Sequence, residues 1–216
     1  MKKQEILLAT TNIGKLNEIR AVLSDSFELL SLADLNIDIQ ILEDGDTFEE
    51  NAVKKALGIM HKTDKITLAD DSGLEIDFFE KLTNKKFSGA QPSTGEFLGV
   101  DSANFMGVTT PYDVRCAHIL DIMRDVPENL RTARFVCVLA LAIPANSQVI
   151  LAKGSLEGLI ATEISENGKH GFGYDPIFYV PEIGKTLGEL AIHEKNSISH
   201  RAKALAVMAE KMKILL

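Results

Sequence analysis

The stretch ITLADDSGLEID, residues 66–77, joins an apolar run directly to two adjacent carboxylates and a Ser-Gly pair. We interpret Ile66 to Ala69 as a buried strand that carries Asp70 and Asp71 at its carboxyl end. An Asx turn leading into a second strand would explain one of the two aspartates but not both. Paired carboxylates suit Mg²⁺, which takes few protein ligands and completes its octahedron with water and phosphate oxygens. The stretch therefore predicts a magnesium site at a strand end.

Strands and helices are predicted on both sides of this stretch. Apolar runs predict further strands at 6–9, 27–32 and 134–143, and a hairpin made of 149–152 and 158–161. Helical spacing of apolar residues predicts helices over 13–23, 48–59 and 112–124, and from 199 to the last residue. The polar stretch at about 80–97 has no clear period and is interpreted as an irregular insertion. Alternating elements followed by clustered strands predict an α/β fold with a mixed sheet whose central strand is 134–143.

Length and charge limit the class of protein. With 216 residues, 45% of them hydrophobic, the chain can bury one sizeable core, and we expect a single domain over residues 1–216. The net charge of −8 argues against a partner that is a nucleic-acid polymer, because such binding needs a basic face. The longest apolar run has about half the length of a membrane span, so we expect no membrane attachment.

The cysteines and the amino-terminal residues predict a compartment. Cys116 and Cys137 show no CxxC spacing, and the opening MKKQEILLAT has too few apolar residues for a signal peptide. Both features are typical of a reduced, cytoplasmic protein. Cys137 lies in an apolar run, where we expect it to be buried as a small hydrophobic residue.

The segment TTNIGK, Thr10 to Lys15, joins the first predicted strand to the first helix. With Asn12 or Thr11 as the N-cap, the free N–H groups and the positive end of the helix could bind a phosphate, and Lys15 could reach the same anion. The spacing is not that of a Walker A loop. An ordinary helix cap followed by a surface lysine is the alternative interpretation.

A second acidic group, EDGDTFEEN, occupies residues 43–51. Asp46 or Thr47 can cap the next helix, Thr47 and Glu50 have the spacing of a capping box, and acids in the first turn complement the helix dipole. Glu43 precedes the cap, so helix chemistry does not explain it.

The segment GFGYDPIF, Gly171 to Phe178, places an aromatic residue between two glycines. Glycine lets the backbone approach a planar ligand closely, and Phe172 could stack on such a ligand. A tight turn followed by a strand is the alternative interpretation.

The segment EKNSISHR, Glu194 to Arg201, contains a candidate N-cap, Ser199, for the last helix. His200 and Arg201 then lie in the first turn, where basic residues oppose the helix dipole. This unfavourable placement indicates donors aimed at a ligand, with Lys195 just upstream. A solvated basic patch is the alternative interpretation.

Taken together and in this order, these segments resemble the Ham1-type inosine triphosphate pyrophosphatases, which remove non-canonical purine nucleotides. The matching blocks span nearly the whole chain: LLATTNIGKLNEI, DGDTFEENAVKKA, LADDSGLEID, FVCVLAL, GFGYDPIF and EKNSISHRAKAL. The resemblance implies a long twisted mixed sheet with flanking helices and two lobes, and a homodimer. It also implies Mg²⁺-dependent hydrolysis of ITP, dITP or XTP to the nucleoside monophosphate and pyrophosphate.

The resemblance assigns candidate site residues. Glu43 and Asp71 would hold Mg²⁺, with Asp70 as a further candidate ligand, and Asp71 would also accept the proton of the attacking water. The phosphates would be held by Thr10, Thr11, Asn12, Ile13, Gly14 and Lys15. Ser72 would touch the substrate. The pocket for the base and the phosphates would be formed by Phe172, Gly173, Tyr174, Asp175, Lys195, His200 and Arg201.

These residue types suit the reaction that the resemblance implies. Attack of water on the α-phosphorus needs neutralised phosphate oxygens, and Lys15 with Mg²⁺ supplies positive charge. A carboxylate beside the metal can take the proton of the water. Hypoxanthine and xanthine carry a 6-oxo acceptor, which hydrogen-bond donors such as Arg201 or His200 can satisfy, whereas adenine presents a donor at that position.

One stretch departs from the family pattern, which usually continues with a PGVYSARYAG-like block. The counterpart here is LGVDSANFMG, Leu98 to Gly107, displaced by the insertion at about 80–97. Asn104 stands where an arginine is expected, and Asp101 stands where an aromatic residue is expected. The altered stretch leaves open a non-catalytic nucleotide-binding module. Within the enzyme class, a Maf-like pyrophosphatase with a different base preference is the near alternative.

Overall fold

The computed structural model describes residues 3–79, 98–165 and 171–216. Within these residues the strands are β1 (Glu5–Leu8), β2 (Glu28–Ser31), β3 (Thr67–Ile76), β4 (Thr132–Ile143), β5 (Gln148–Ile160), β6 (Phe178–Val180) and β7 (Lys185–Thr186). The helices are α1 (Ile13–Leu23), α2 (Phe48–Thr63), α3 (Tyr112–Ile122), α4 (Ile192–Ile198) and α5 (His200–Leu215). The predicted insertion at about 80–97 lies outside the described residues. In the part of the chain described, no helix is both long and apolar enough to cross a membrane.

The strands form one sheet in the order β2-β1-β3-β4-β5-β6-β7. β1 pairs in parallel with β2 and with β3, whereas β6 pairs antiparallel with β5 and with β7. The predicted α/β fold with a mixed sheet and flanking helices is therefore confirmed. β4 is the middle strand, as predicted, and its residues from Cys137 to Ala142 are fully buried because both of its faces are covered.

The chain forms two compact units, and the boundary between them falls inside β3, β4 and β5. Unit 1 contains Met1–Ser72, Cys137–Ser155 and Ser199–Leu216, and unit 2 contains Gly73–Val136 and Leu156–Ile198. Two lobes are what the resemblance implies. The prediction of one domain over residues 1–216 is not tested by this division, because three strands run from one unit into the other.

Each unit has its own apolar core. In unit 1, one face of α1 and one face of α5 pack with β1, β4 and β5, through Ile6, Leu8, Leu16, Ile19, Leu139, Leu141, Leu205 and Met208. In unit 2, α3 packs with the later halves of β3 and β5 and with β6, through Leu74, Ile76, Ile119, Ile160, Phe178 and Val180. The apolar stripe predicted for α5 is the face that is buried, as an amphipathic helix requires. In α1, Leu16, Ile19 and Leu23 are buried, whereas Ile13 and Val22 of the predicted stripe are exposed.

The predicted helix caps are formed. Asn12 Oδ1 accepts a hydrogen bond from Lys15 N at 3.1 Å, and Ser199 Oγ accepts one from Ala202 N at 3.1 Å. Thr47 Oγ1 accepts from Glu50 N at 3.1 Å. The Glu50 carboxylate, however, accepts from Asp46 N and not from Thr47 N, so only half of the predicted capping box is present.

Two strand predictions are wrong in their boundaries. β3 does not end at Ala69 but continues through Asp70 and Asp71 to Ile76. Lys15 and Arg201 offset the charge of Asp70 within the strand. The predicted hairpin at 149–161 is a single strand, β5. Its two glycines, which resemble turn signals, lie where other backbone segments approach closely.

Candidate active site

Asp70 and Asp71 lie in the middle of β3, and both side chains are buried. Successive side chains of a strand point to opposite faces of the sheet, so the two carboxylates face different neighbours. Asp70 shares its face with Ser72, and Ser72 Oγ lies 3.5 Å from Asp70 Oδ2. The two acids therefore belong to two different groups of side chains within unit 1.

Asp70 lies between two cations of unit 1. Lys15 Nζ is 2.8 Å from Asp70 Oδ2, and Arg201 Nε is 3.5 Å from the same oxygen. Burial alone would raise the pKa of Asp70, but the charges of Lys15, Arg201 and Lys55 outweigh burial and hold the pKa far below its usual range. Asp70 is therefore ionised at neutral pH and holds both cations in place.

Arg201 is 2% exposed and lies in the first turn of α5, as predicted. Its guanidinium forms an ion pair with Glu18 on α1 and donates to Ser72 Oγ at 3.0 Å. Burial opposes the charge, but Asp70 and Glu18 raise the pKa of Arg201. These two carboxylates offset the unfavourable position of a cation at the positive end of a helix. His200, next to it, is also buried.

Asp71 faces residues that precede or belong to α2. Lys55 Nζ pairs with Glu43 Oε2 at 2.6 Å and donates to the carbonyl oxygen of Asp70 at 3.0 Å. Burial raises the pKa of Asp71 to about 6, and the Glu43 charge adds to the increase, although Lys55, Lys15 and a hydrogen bond from Asn51 oppose it. A carboxyl group with this pKa can exchange a proton near neutral pH.

The loop that carries Glu43 is attached to α2 at several points. Asn51, buried on the apolar face of α2, accepts a hydrogen bond from Gly45 N at 2.7 Å. Lys54 pairs with Asp44 at 2.7 Å, and Lys55 pairs with Glu43. The loop is therefore held by the helix that follows it, and Glu43 is directed towards the side of β3 on which Asp71 lies.

The residues around Asp71 have the chemistry of a magnesium site. Asp70 Oδ1 and Asp71 Oδ2 are buried and, within the described residues, have no hydrogen-bond partner. Glu43 adds a carboxylate that is 41% exposed. Carboxylate oxygens are the ligands that Mg²⁺ prefers, and Mg²⁺ commonly binds one or two of them together with phosphates. Across the described ranges, no group of three or more His, Cys, Asp or Glu side chains is placed to hold a metal. The donor set therefore fits Mg²⁺ bound together with a phosphate ligand.

The segment Thr10 to Lys15 occupies the turn from β1 into α1, as predicted. Thr10 Oγ1 accepts from Asn12 N at 3.2 Å, which closes a tight turn before the helix. Ile13 is 71% exposed although it is a large apolar residue. The amino end of α1 and Lys15 thus belong to the same unit as Asp70, Asp71, Ser72 and Arg201.

The remaining predicted residues form a second cluster, within unit 2. Lys195 Nζ is 2.7 Å from Asp175 Oδ2 and lies 4.4 Å from the centroid of the Phe172 ring. Phe172 N donates to the same Asp175 oxygen at 2.7 Å. Gly171 has φ +85°, and a Cβ on it would lie 2.2 Å from the Asp175 carboxylate, so this turn requires glycine. The turn leaves the Phe172 ring 40% exposed beside a lysine.

The turn at 171–175 is supported by residues that sequence reasoning did not identify. Tyr174 Oη donates to the carbonyl oxygen of Ser102 at 2.7 Å. The buried Arg115 donates to the carbonyl oxygens of Ser102, Ala103, Gly107 and Thr110. The stretch that departs from the family pattern is therefore ordered around an arginine from α3.

Three residues near Asp70 and Asp71 were also missed. Lys55 and Asn51 lie in the helix after the acidic loop, and Glu18 lies one turn after Lys15. Asn51 carries a signal in the sequence, because it is a polar residue in line with the apolar stripe of Phe48 and Ala52. No local pattern in the sequence marks Glu18 or Lys55, because Glu18 pairs with Arg201 and Lys55 contacts Asp70, which belong to other elements.

The chain matches the family model described as the Ham1 family over residues 6–211. A dITP/XTP pyrophosphatase of Desulforamulus reducens is 42% identical, over 93% of this chain and 92% of that protein. The dITP/XTP pyrophosphatase of Bacillus subtilis is 38% identical, over 96% of each. The solved structure of the Staphylococcus aureus Ham1 protein has a TM-score of 0.80 at 31% identity and covers 99% of this chain and 100% of that one. A Coxiella burnetii HAM1 structure has a TM-score of 0.81 at 35% identity, with 97% and 98% covered. This protein belongs to the Ham1 family.

Proposed function

We propose that this protein hydrolyses the non-canonical purine nucleoside triphosphates dITP, ITP and XTP to the nucleoside monophosphate and pyrophosphate. Membership of the Ham1 family and the relatives named dITP/XTP pyrophosphatase support this activity. The observation that carries the proposal is the group of side chains around β3. In this group, Asp71 is a buried carboxyl group with a pKa of about 6, and Glu43 is a second carboxylate. The cation Lys15 is suited to bind phosphate.

In the proposed reaction, Lys15 and the amino end of α1 bind the triphosphate, and Arg201 adds a second positive charge. Glu43 and Asp71 would hold Mg²⁺, which when bound would neutralise phosphate oxygens and orient the attacking water. Asp71 accepts the proton of the water that attacks the α-phosphorus, and pyrophosphate leaves. Burial raises the pKa of Asp71 to about 6 in the protein without metal, so its carboxylate form is available at pH 7.5 before Mg²⁺ binds.

Recognition of the base is proposed to use hydrogen-bond donors. A 6-oxo purine offers an acceptor, which Arg201, His200 or a backbone N–H can satisfy, whereas the 6-amino group of adenine would place a donor against these donors. Phe172 and Asp175 are proposed to contribute to this recognition. The cluster of Phe172, Asp175 and Lys195 supports a role in binding a flat polar ring.

A triphosphate panel tests the proposal. With Mg²⁺, the purified protein should release pyrophosphate from dITP, ITP and XTP at least 100-fold faster than from ATP, and a chelator should abolish the reaction. Asp71→Asn should lower kcat by about 10²–10⁴-fold, because it removes the proton acceptor, and should leave the circular dichroism spectrum unchanged. Asp46→Asn, in the exposed loop before α2, is the matched control and should retain activity.

The panel also separates the alternatives. Turnover of pyrimidine or methylated nucleotides in preference to dITP would indicate a Maf-like enzyme. Binding of dITP without turnover, unchanged by Asp71→Asn, would indicate a non-catalytic module. Equal turnover of ATP and dITP would also contradict the proposal.

A cytoplasmic homodimer completes the proposed function and is inferred from the resemblance. A pool-cleaning enzyme acts where nucleotides are used, which places it in the cytoplasm. Sedimentation of the purified protein at micromolar concentration should give twice the chain mass of 23.6 kDa. A monomer at that concentration would contradict the homodimer.

A further inference from the structure

Gly154 lies in β5, where the first turn of α5 packs on the strand. A Cβ at Gly154 would lie 2.3 Å from the carbonyl oxygen of His200 and 2.5 Å from Ala204 N. Both atoms belong to the helix backbone, which cannot move aside as a flexible side chain could. The φ angle of Gly154 is not positive, so alanine could adopt its backbone conformation. Space alone therefore excludes a side chain at this position.

The same part of α5 is fixed to β5 by other contacts. Lys203 Nζ donates to the carbonyl oxygen of Ser155 at 2.8 Å, and Lys211 Nζ donates to that of Leu151 at 2.7 Å. Ala204 and Leu205, in the first two turns of α5, are fully buried. A displacement at Gly154 would therefore shift the first turn of α5 as a packed unit.

That first turn carries His200 and Arg201. The Arg201 guanidinium reaches three side chains of unit 1: it donates to Ser72 Oγ at 3.0 Å, lies 3.5 Å from Asp70 and pairs with Glu18. Relieving the collision at Gly154 would move the helix backbone by about 1 Å, since non-bonded heavy atoms need roughly 3.5 Å. A shift of this size would remove Arg201 from hydrogen-bonding distance of Ser72.

We propose that Gly154 is a positioning residue for the hydrolysis, because its missing side chain allows the first turn of α5 to lie where Arg201 reaches Asp70 and Ser72. The inference rests on the proposed function. It makes Gly154 act through Arg201 and not through contact with the substrate. Loss of Gly154 should consequently matter less once Arg201 has been removed.

A double-mutant cycle tests this dependence. Gly154→Ala, Arg201→Ala and the double variant are compared by kcat/KM for dITP and by thermal midpoint. Gly154→Ala should lower kcat/KM by about 10–100-fold, since a misplacement of about 1 Å can cost this much. In the Arg201→Ala background the same change should have a clearly smaller effect, because only the displacement of His200 then remains, and this is the non-additivity expected of coupled residues.

Gly158→Ala is the matched control on the same strand. Its Cβ would lie 2.6 Å from the carbonyl oxygen of Tyr179, so it creates a similar collision within unit 2. Its effect on kcat/KM should be the same with and without Arg201. If the effects of Gly154→Ala and Arg201→Ala multiply, or if kcat/KM per folded molecule is unchanged in Gly154→Ala, the inference is wrong.

A second pair of variants covers the case in which Gly154→Ala does not fold. Lys203→Met removes the bond to Ser155 beside Gly154, and Lys211→Met removes an equivalent bond further along α5. Both lysines are exposed and methionine keeps their apolar stems, so both variants should fold. Lys203→Met should lower kcat/KM and Lys211→Met should not. Equal effects of the two variants would overturn the inference.

The wild-type protein separates failure of this inference from failure of the proposed function. If wild type does not hydrolyse dITP, the proposed function fails, and the same cycle is measured by calorimetric binding of dIMP. Non-additive losses of dIMP affinity would then still support the role of Gly154. Additive losses would overturn it.

Discussion

Adjacent aspartates in β3 have pKa values that move in opposite directions. Asp70 faces Lys15 and Arg201, which hold its pKa low, whereas burial, with a smaller contribution from the charge of Glu43, raises the pKa of Asp71 to about 6. Because alternate residues of a strand point to opposite faces, one peptide bond separates two different electrostatic environments. A carboxylate that anchors cations and a carboxyl group suited to proton transfer thus come from the same dipeptide.

These two aspartates should therefore have opposite effects on stability in the presence of a chelator. The pKa of Asp71 is above its unfolded value of 3.8, so the folded state is weakened as pH rises through about 6, on the order of 3 kcal/mol at pH 7.5. Asp71→Asn should remove this cost, raise the free energy of unfolding at pH 7.5 and have little effect near pH 4. The measurement is urea unfolding at both pH values.

Asp70→Asn is the matched control, and we expect it to change the free energy of unfolding in the opposite direction. The folded pKa of Asp70 is below 3.8, so its charge contributes stability above that pH, and this contribution is lost as pH falls further. Asp70→Asn should lower the free energy of unfolding at pH 7.5 because Lys15 and Arg201 lose their buried partner. A destabilising effect of Asp71→Asn at pH 7.5 would contradict the assignment of the two environments.

At the scale of elements, glycines and charges were misleading signals for strand ends. The predicted ends at Ala69 and within 149–161 assumed that acids and glycines interrupt a strand. In β3 the charge of Asp70 is offset by Lys15 and Arg201 from other elements, and in β5 the glycines make room for α5 and β6. Both strands are long because tertiary contacts compensate for residues with low strand propensity.

Asp64, at the carboxyl end of α2, is a residue whose conformation and charge both destabilise the folded protein. Asp64 caps the helix in the left-handed conformation with φ +53°, and its N–H donates to the carbonyl oxygen of Met60. Glycine adopts this conformation without strain, and a negative charge at this end opposes the dipole. Asp64→Gly should stabilise the protein by about 1 kcal/mol and Asp64→Asn by about 0.5 kcal/mol, measured by thermal unfolding.

Asp64→Ala separates the two causes, because it removes the charge and keeps a Cβ. We expect it to be less stable than Asp64→Gly by about 1 kcal/mol, which is the cost of the left-handed conformation for alanine. Equal stability of the alanine and glycine variants would show that backbone strain at Asp64 is negligible.

At the scale of the whole molecule, each unit contains one buried cysteine: Cys137 in unit 1 and Cys116 in unit 2. Burial raises the pKa of both thiols to about 12. Neither thiol should react with an aromatic disulfide reagent at pH 8 in the native protein, because the reactive thiolate is both scarce and inaccessible. Both should react fully in denaturant.

The single-cysteine variants Cys116→Ala and Cys137→Ala then report on one unit each. Because β3, β4 and β5 run through both units, we expect the two thiols to become reactive at the same urea concentration. Two separate midpoints would show that the units unfold independently. Rapid labelling of either native thiol would contradict the burial of that thiol.

Local sequence patterns determined most of the architecture and the identity of the candidate site residues. Periodicity located β1, β4, α1, α2 and α5, and capping chemistry identified Asn12, Thr47 and Ser199, because caps and amphipathic stripes depend on residues a few positions apart. The segments TTNIGK, ADDSG and ISHR were recognisable for the same reason: each is a short run of residue types that can be read without knowing its partners.

Tertiary structure alone decided which residues work together. The partners of Arg201 are 129 to 183 positions away in the chain, and no local pattern links Ser72 or Glu18 to the last helix. Packing between elements likewise decides that Lys55 pairs with Glu43 and that Gly154 has no room for a side chain. It also decides which neighbours Asp70 and Asp71 meet on the two faces of β3. Electrostatic shifts and close contacts act through space, so they exist only after distant segments of the chain have been brought together.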